Sequence, residues 1–166
     1  MYNSRVHLNG RGCCFKPPGS YNGCMKTNVV ITEFLIAPCG MDCGLCAAYQ
    51  REKKPCRGCH AGEENKSASC INCSIRNCEY LKLTDSGLCV DCDNFPCARV
   101  RHIDKRYRIR YGMSMIENLQ TIQSIGLQAF VKSEQERWAC PNCGGILSVH
   151  RGNCLLCGAT KPAVEE

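Results

Sequence analysis

The chain carries 166 residues, a formal charge of +6 and 18 cysteines, and without those cysteines its 44% hydrophobic fraction falls to about a third. Burial of so little apolar surface struggles to offset roughly 1 to 2 kcal/mol of backbone entropy per ordered residue, so folding energy must come from elsewhere. No apolar run approaches the roughly 20 residues of a membrane helix, and no continuous apolar segment opens the chain as a secretory signal does, which points to a soluble protein in a reducing, cytoplasmic compartment.

Residues 1–27 are punctuated by Gly10, Gly12, Pro17, Pro18, Gly19 and Gly23 without apolar periodicity, and read as a disordered extension. Cys13, Cys14 and Cys24 lack paired spacing and read as free thiols. Met25-Lys26-Thr27 makes a more ordinary beginning, and raises start-codon choice as the source of the upstream segment.

Residues 28–98 read as a cysteine-rich domain holding several metal ions. A short strand is predicted over 29–36, leading into the turn Cys39-Gly40-Met41-Asp42-Cys43-Gly44-Leu45-Cys46. A short helix follows over 47–53, and then turns carry Cys56, Cys59, Cys70, Cys73, Cys78, Cys89, Cys92 and Cys97. Cys70-x2-Cys73-x4-Cys78 is repeated nineteen residues later as Cys89-x2-Cys92-x4-Cys97, which reads as two equivalent ligand loops.

Residues 99–138 are free of cysteine and read as a helical section. Val100, Ile103 and Tyr107 recur at helical spacing. Ser114 and Glu117 form a capping box ahead of Ile116, Leu119 and Ile122, with Gly126 as the stop. A third helix over 127–138 offers Phe130, Val131 and Trp138 for packing. Residues 139–160 then carry Cys140-Pro141-Asn142-Cys143-Gly144 and Cys154-Leu155-Leu156-Cys157-Gly158, two knuckles joined by a hairpin over 145–153, the pattern of a zinc ribbon. Residues 161–166 form a tail. The fold class expected is a small metal-stabilised α+β protein: a zinc-knuckle domain, a short helical section and a C-terminal ribbon.

Twelve of the fifteen cysteines between Cys39 and Cys157 form six C-x2-C pairs. Each pair delivers two thiolates from one tight turn, and two pairs complete a tetrahedral shell, so spacing favours metal thiolates over disulfides. The eleven thiolates of Cys39, Cys43, Cys46, Cys56, Cys59, Cys70, Cys73, Cys78, Cys89, Cys92 and Cys97, with His60 as a twelfth ligand, would fill three four-coordinate sites beside the C-terminal one. His60 reads equally well as a surface residue. Several Zn2+ ions per chain are expected, with iron or an iron–sulfur cluster as the alternative, because thiolate spacing does not choose between them. Three four-thiolate zinc sites and one of three thiolates with a histidine would take the formal charge from +6 to −1, so overall basicity says nothing about nucleic acid.

Cys39-x3-Cys43-x2-Cys46 also matches the cluster-binding spacing of radical enzymes that use S-adenosylmethionine, but those need a large partial α/β barrel after the motif, and here only 120 residues follow. No nucleophile elbow, P-loop or H-E-x-x-H is present, and closed thiolate shells leave no position for substrate, so the expectation leans away from an enzyme. Local basicity is concentrated in Arg99, Arg101, Lys105, Arg106, Arg108 and Arg110, with Tyr107 and Tyr111 among them and Asp104 the single acid. Nucleic-acid contact is one reading of that helix. The other, preferred, makes Tyr107 core and the arginines a solvated face or a balance to anionic metal sites.

The signatures Ala37-Pro38-Cys39-Gly40-Met41-Asp42-Cys43-Gly44-Leu45-Cys46-Ala47-Ala48-Tyr49, Cys56-Arg57-Gly58-Cys59, Cys73-Ser74-Ile75-Arg76-Asn77-Cys78 and Phe95-Pro96-Cys97 resemble the cysteine-rich family known as domain of unknown function 3795, over residues 36–101. The stretch Tyr111-Gly112-Met113-Ser114-Met115-Ile116-Glu117-Asn118 and the ribbon resemble its longer members. The resemblance implies a shared metal framework and no particular activity. The function expected is a non-catalytic binding or adaptor module with a protein partner. An iron–sulfur or rubredoxin-like electron carrier and a nucleic-acid-binding protein are its alternatives.

Overall fold

The structure, a computed structural model, describes residues 28–162. The extension read over 1–27, with Cys13, Cys14 and Cys24, and residues 163–166 of the tail lie outside them. Three long helices dominate: α3 (Ala98–Tyr111), α4 (Met115–Ile125) and α5 (Leu127–Arg137) follow the one-turn helices α1 (Ala47–Gln50) and α2 (Ala68–Ile71). Short 3₁₀ segments at Glu33–Leu35 and Cys43–Leu45 precede α1, and two more, Glu79–Leu83 and Cys89–Asp91, lie between α2 and α3.

The β component is smaller than expected. Among the described residues it consists of three isolated bridges, Ile36 with Asp42, Ala139 with Ile146 and Asn153 with Thr160. The strand expected over 29–36 is a 3₁₀ turn closed by the Leu35 and Ile36 N–H groups, which donate to Thr32 and Glu33. Its one antiparallel contact is the bridge to Asp42, so no ladder forms to hold it extended.

α4 begins where Ser114 and Glu117 place it. The Ser114 hydroxyl accepts the Glu117 N–H at 3.0 Å. The Glu117 carboxylate, expected to reach back to the cap, instead pairs with Arg108 on α3 at 2.9 Å. Asp104 supplies what the capping box leaves open: its Oδ1 accepts the Ser114 hydroxyl at 2.7 Å and the Ile116 N–H at 3.0 Å, and its Oδ2 accepts Arg108 Nε at 2.8 Å. The only acid of the basic helix is thus the joint between α3 and α4.

One core runs through the described chain. Leu35, Ile36 and Leu45 from the first cysteine turn meet Met113, Met115 and Leu119, then Phe130 and Trp138, then Ile146, Leu147 and Val149. α4 lies directly on the Cys39 turn, where the Asn118 side chain donates to the Gly40 carbonyl at 2.9 Å. Gly40 has φ +83°, and a Cβ there would come within 2.7 Å of the Met115 carbonyl and 2.8 Å of Leu119, so glycine is required twice over. No helix among the described residues is long and apolar enough to cross a membrane.

Candidate metal centre

The two C-terminal knuckles are built alike, with every feature of the first reappearing fourteen residues later. In each, the N–H of the glycine after the second cysteine donates to the first cysteine's carbonyl: Gly144 to Cys140 at 2.8 Å and Gly158 to Cys154 at 3.0 Å. In each, the first cysteine's own N–H donates onward, Cys140 to Gly145 and Cys154 to Ala159, both at 2.8 Å. Gly144 and Gly158 sit at φ +72° and +79°, a turn that glycine enters without a Cβ penalty.

The turns face each other. Cys140 Sγ lies 3.8 Å from Cys157 Sγ, and Cys143 Sγ lies 3.7 Å from Cys154 Sγ. All four sulfurs fall within 4.8 Å of one another, the one group of three or more metal-ligating side chains this tight among the described residues. A tetrahedron of thiolates about 2.3 Å from a single ion has edges of about 3.8 Å, so these four side chains can hold a metal ion. Cys140 and Cys154 are buried while Cys143 and Cys157 are exposed. The Cys157 thiol is lowered to about 6, first by its hydrogen bond from Asn142 and then by the Ala159 N–H, while Cys143 in the same cluster is pushed up to about 12, first by desolvation.

The segment between the knuckles is not the free hairpin its length suggests. Residues 145–149 are buried. The Val149 N–H and the Ser148 hydroxyl both donate to the Leu45 carbonyl, at 2.9 and 3.0 Å, and the Leu147 N–H donates to Trp138 at 2.8 Å. Asn28 clasps the first knuckle from the other end of the described chain, accepting the Ile146 N–H at 3.0 Å. His150 closes the strap: its Nδ1 accepts the Ala47 N–H at 3.2 Å, leaving Nε2–H to donate to the Tyr107 hydroxyl at 3.0 Å.

The eleven upstream cysteines form no disulfide and are grouped more loosely. Cys39 is pushed up to about 12, chiefly by burial and then by the neighbouring sulfurs of Cys59, Cys89 and Cys73. The Cys43 sulfur accepts the Cys59 N–H at 3.3 Å, and the two side chains share a hydrogen bond that lowers Cys59, with Lys66 and Arg76 assisting. Burial raises Cys46, with Cys56 and Cys70 as neighbours that oppose its charge. Burial likewise pushes Cys89 up to about 12, with Cys97, Cys78, Cys92 and Cys73 around it. Crowded thiols of this kind resist ionisation in one another's company, and a bound cation reverses the penalty, so the donor set suits metal.

Within the first turn Asp42 is fully buried. Its Oδ1 accepts the Gly44 N–H at 2.7 Å, and its Oδ2 has no partner. Desolvation first, then the charge of Glu134, raises this carboxyl to about 7 against the opposing hydrogen bond. His60 is exposed, its Nε2 2.8 Å from the Ile36 carbonyl and its ring 5.6 Å from that of Phe34. The two sequence repeats are not equivalent in space: Cys78, the last cysteine of the first copy, lines the same cavity as Cys89, Cys92 and Cys97 of the second.

The basic helix divides by partner. Arg99 donates to the Cys78 sulfur at 3.4 Å and to the Ser74 carbonyl at 3.1 Å. Arg108 is committed to Asp104 and Glu117. Arg101, Lys105, Arg106 and Arg110 are exposed along two adjacent helical rows. Tyr107 and Tyr111 turn inward, stacking edge-on with one another at 5.1 Å and with His150 at 5.7 and 4.9 Å. Sequence reasoning missed this aromatic cluster, because its third member lies 43 residues from Tyr107.

Residues 35–102 match the model of a family described as a protein of unknown function, DUF3795. The matched span contains all eleven upstream cysteines and ends before the C-terminal knuckles. No curated protein and no solved structure matches the chain.

Proposed function

We propose that this chain is a zinc-binding protein whose ions are structural, and that it acts as a non-catalytic binding or adaptor module for a protein partner. The observation that carries the reading is the C-terminal quartet, whose facing sulfurs already stand 3.7 and 3.8 Å apart, the edge of a single-ion tetrahedron. A shell of four thiolates is closed, leaving no position for substrate or activated water. Exposure of Cys143 and Cys157 favours zinc over rubredoxin-like iron there, since a redox-inert ion needs no shielding from solvent. Cys39, Cys43, Cys46, Cys56, Cys59, Cys70, Cys73, Cys78, Cys89, Cys92 and Cys97 are further metal ligands on this reading, with His60 completing a shell through Nδ1.

The test is metal content per chain in natively, anaerobically purified protein, with the visible spectrum of the same sample. Protein carrying zinc, one ion of which is lost in Cys140→Ser/Cys154→Ser, is the expected result. Protein without bound metal, or with metal unchanged in that variant, would refute it. A second reading, contact with nucleic acid, draws on the four exposed cations of α3. It loses its stacking component, because both tyrosines face His150.

A further inference from the structure

The upstream cysteines contain one arrangement that a single ion does not explain. Between the Glu79–Leu83 turn, the Cys89–Asp91 turn and the start of α3 lies a cavity of about 290 Å³, lined by Cys78, Cys89, Cys92 and Cys97. Roughly 10 to 15 Å³ of such space holds one water molecule, so this is far more than one metal ion fills. The same four sulfurs do not draw together as those of the ribbon do, since only the ribbon quartet lies within 4.8 Å among the described residues. Four cysteines thus line one cavity without converging on a point.

We propose that Cys78, Cys89, Cys92 and Cys97 hold one four-iron, four-sulfide cluster in this cavity. A cubane presents an iron at each of four tetrahedral corners, and each corner takes one thiolate, so the ligand sulfurs stand farther apart than around one ion. The rest of the lining suits the guest. Leu81, Phe95 and Val100 supply apolar walls, and Arg99 at the α3 N-terminus donates to the Cys78 sulfur at 3.4 Å. Hydrogen bonds to ligand sulfur and the exposure of the cluster are two of the factors that set a cluster's reduction potential. Cys97, Cys78 and Cys92 all crowd Cys89, as does Cys73 from outside the cavity lining.

The inference rests on the reading that the upstream cysteines are metal ligands, and the test separates the two. The full chain is purified anaerobically, incubated with equal amounts of ferrous and ferric iron and with sulfide, and assayed for iron, acid-labile sulfide and zinc. Wild type is compared with Cys92→Ser/Cys97→Ser and with Cys154→Ser/Cys157→Ser. About four irons and four sulfides per chain are expected, with a broad brown absorption that dithionite bleaches. That signal falls at least tenfold, on the order of complete loss, in the first variant and persists in the second. Zinc at the upstream cysteines without sulfide would overturn the cluster and leave the metal-ligand reading intact. Metal confined to one ribbon ion would remove both, and a cluster indifferent to the Cys92/Cys97 change would overturn the assignment. Arg99→Gln keeps all four thiolates, so it guards against a misfolded double variant. The cluster is retained in it with a midpoint potential shifted downward, and an unchanged potential would place the cluster away from Cys78 and overturn the site.

Discussion

The Ser114 hydroxyl donates to Asp104 Oδ1 at 2.7 Å while accepting the N–H of Glu117 at 3.0 Å, so one side chain links the cap of α4 to the interior of α3. Asp104→Ala removes the acceptor of three donors at once and is expected to cost about 2 to 3 kcal/mol. Asp104→Asn keeps an oxygen for Ser114 and Ile116 and loses mainly the Arg108 pair, so it is expected to cost about half as much. Thermal melts of the two variants give the comparison, and equal losses would contradict the network. Burial opposes ionisation of Asp104, but the Ile116 N–H, Ser114 and Arg108 together hold it below its ordinary value. Its contribution is therefore present above about pH 4 and is lost as pH falls through the depressed folded value.

Gly40→Ala should be among the most damaging single changes. The residue would sit at φ +83° with its Cβ inside the Met115 carbonyl contact, and strain and overpacking together suggest about 3 kcal/mol or more. Chemical denaturation reads the loss directly, and a change under about 1 kcal/mol would show that α4 does not rest on the Cys39 turn.

His150 gives a pH signature. Burial, then the charges of Arg151 and Lys161, lower its pKa, and its Nδ1 is already used as an acceptor. The unfolded chain therefore binds the proton first, and stability falls as pH drops through about 6.5, levelling off below the folded value. Comparing wild type with His150→Gln from pH 8 to 5 cancels the acid sensitivity of the thiolates. The wild type is expected to lose more stability than the variant across that window, and parallel curves would refute the assignment.

Ribbon metal and the single tryptophan are expected to report on each other. Trp138 is buried, accepts the Leu147 N–H through its carbonyl, and has the Lys161 ammonium 4.3 Å from its ring. Chelation that empties the ribbon should loosen this packing and red-shift Trp138 fluorescence, with re-addition of zinc restoring it. Unchanged emission on complete metal loss would mean that the strap holds without the ion.

Salt dependence tests the basic helix. Gln at Arg101, Lys105, Arg106 and Arg110 together leaves the Arg99 and Arg108 contacts intact, so stability should move by only about 0.5 kcal/mol. If these side chains meet phosphates, affinity for duplex DNA or RNA falls and the log–log salt slope flattens by about 3 to 4. An unchanged slope ends the nucleic-acid reading.

What the sequence made legible follows the range of the interactions involved. The start of α4 was readable because Ser114, Glu117 and the apolar spacing all lie within one turn. The C-terminal four-cysteine cluster was readable because each of its turns closes on itself within five residues. The role of Asp104 was not, since its partners Ser114 and Ile116 lie 10 and 12 residues away. Nor was the docking of the inter-knuckle strap on Leu45, 103 residues distant. The strand expected over 29–36 failed for a related reason: a short apolar, β-branched stretch suggests an extended segment but cannot supply the neighbour whose ladder would stabilise one. The grouping of the upstream cysteines was hidden as well, because Cys78 leaves its own repeat to join the next.

The two hydrogen bonds from Ser148 and Val149 to Leu45 have a thermodynamic corollary. Leu45 lies between Cys43 and Cys46 in the chain, so the carbonyl that anchors the strap belongs to the backbone that carries two upstream cysteines. An ion bound between the knuckles would also order the strap that joins them, and so remove freedom from the Cys43–Leu45 turn. If the upstream cysteines bind metal as proposed, reciprocity then requires that filling them tighten the downstream site by the same factor. Titrating the chain with metal would accordingly give a steeper loading curve than independent sites allow, with partly loaded species under-represented in native mass spectra.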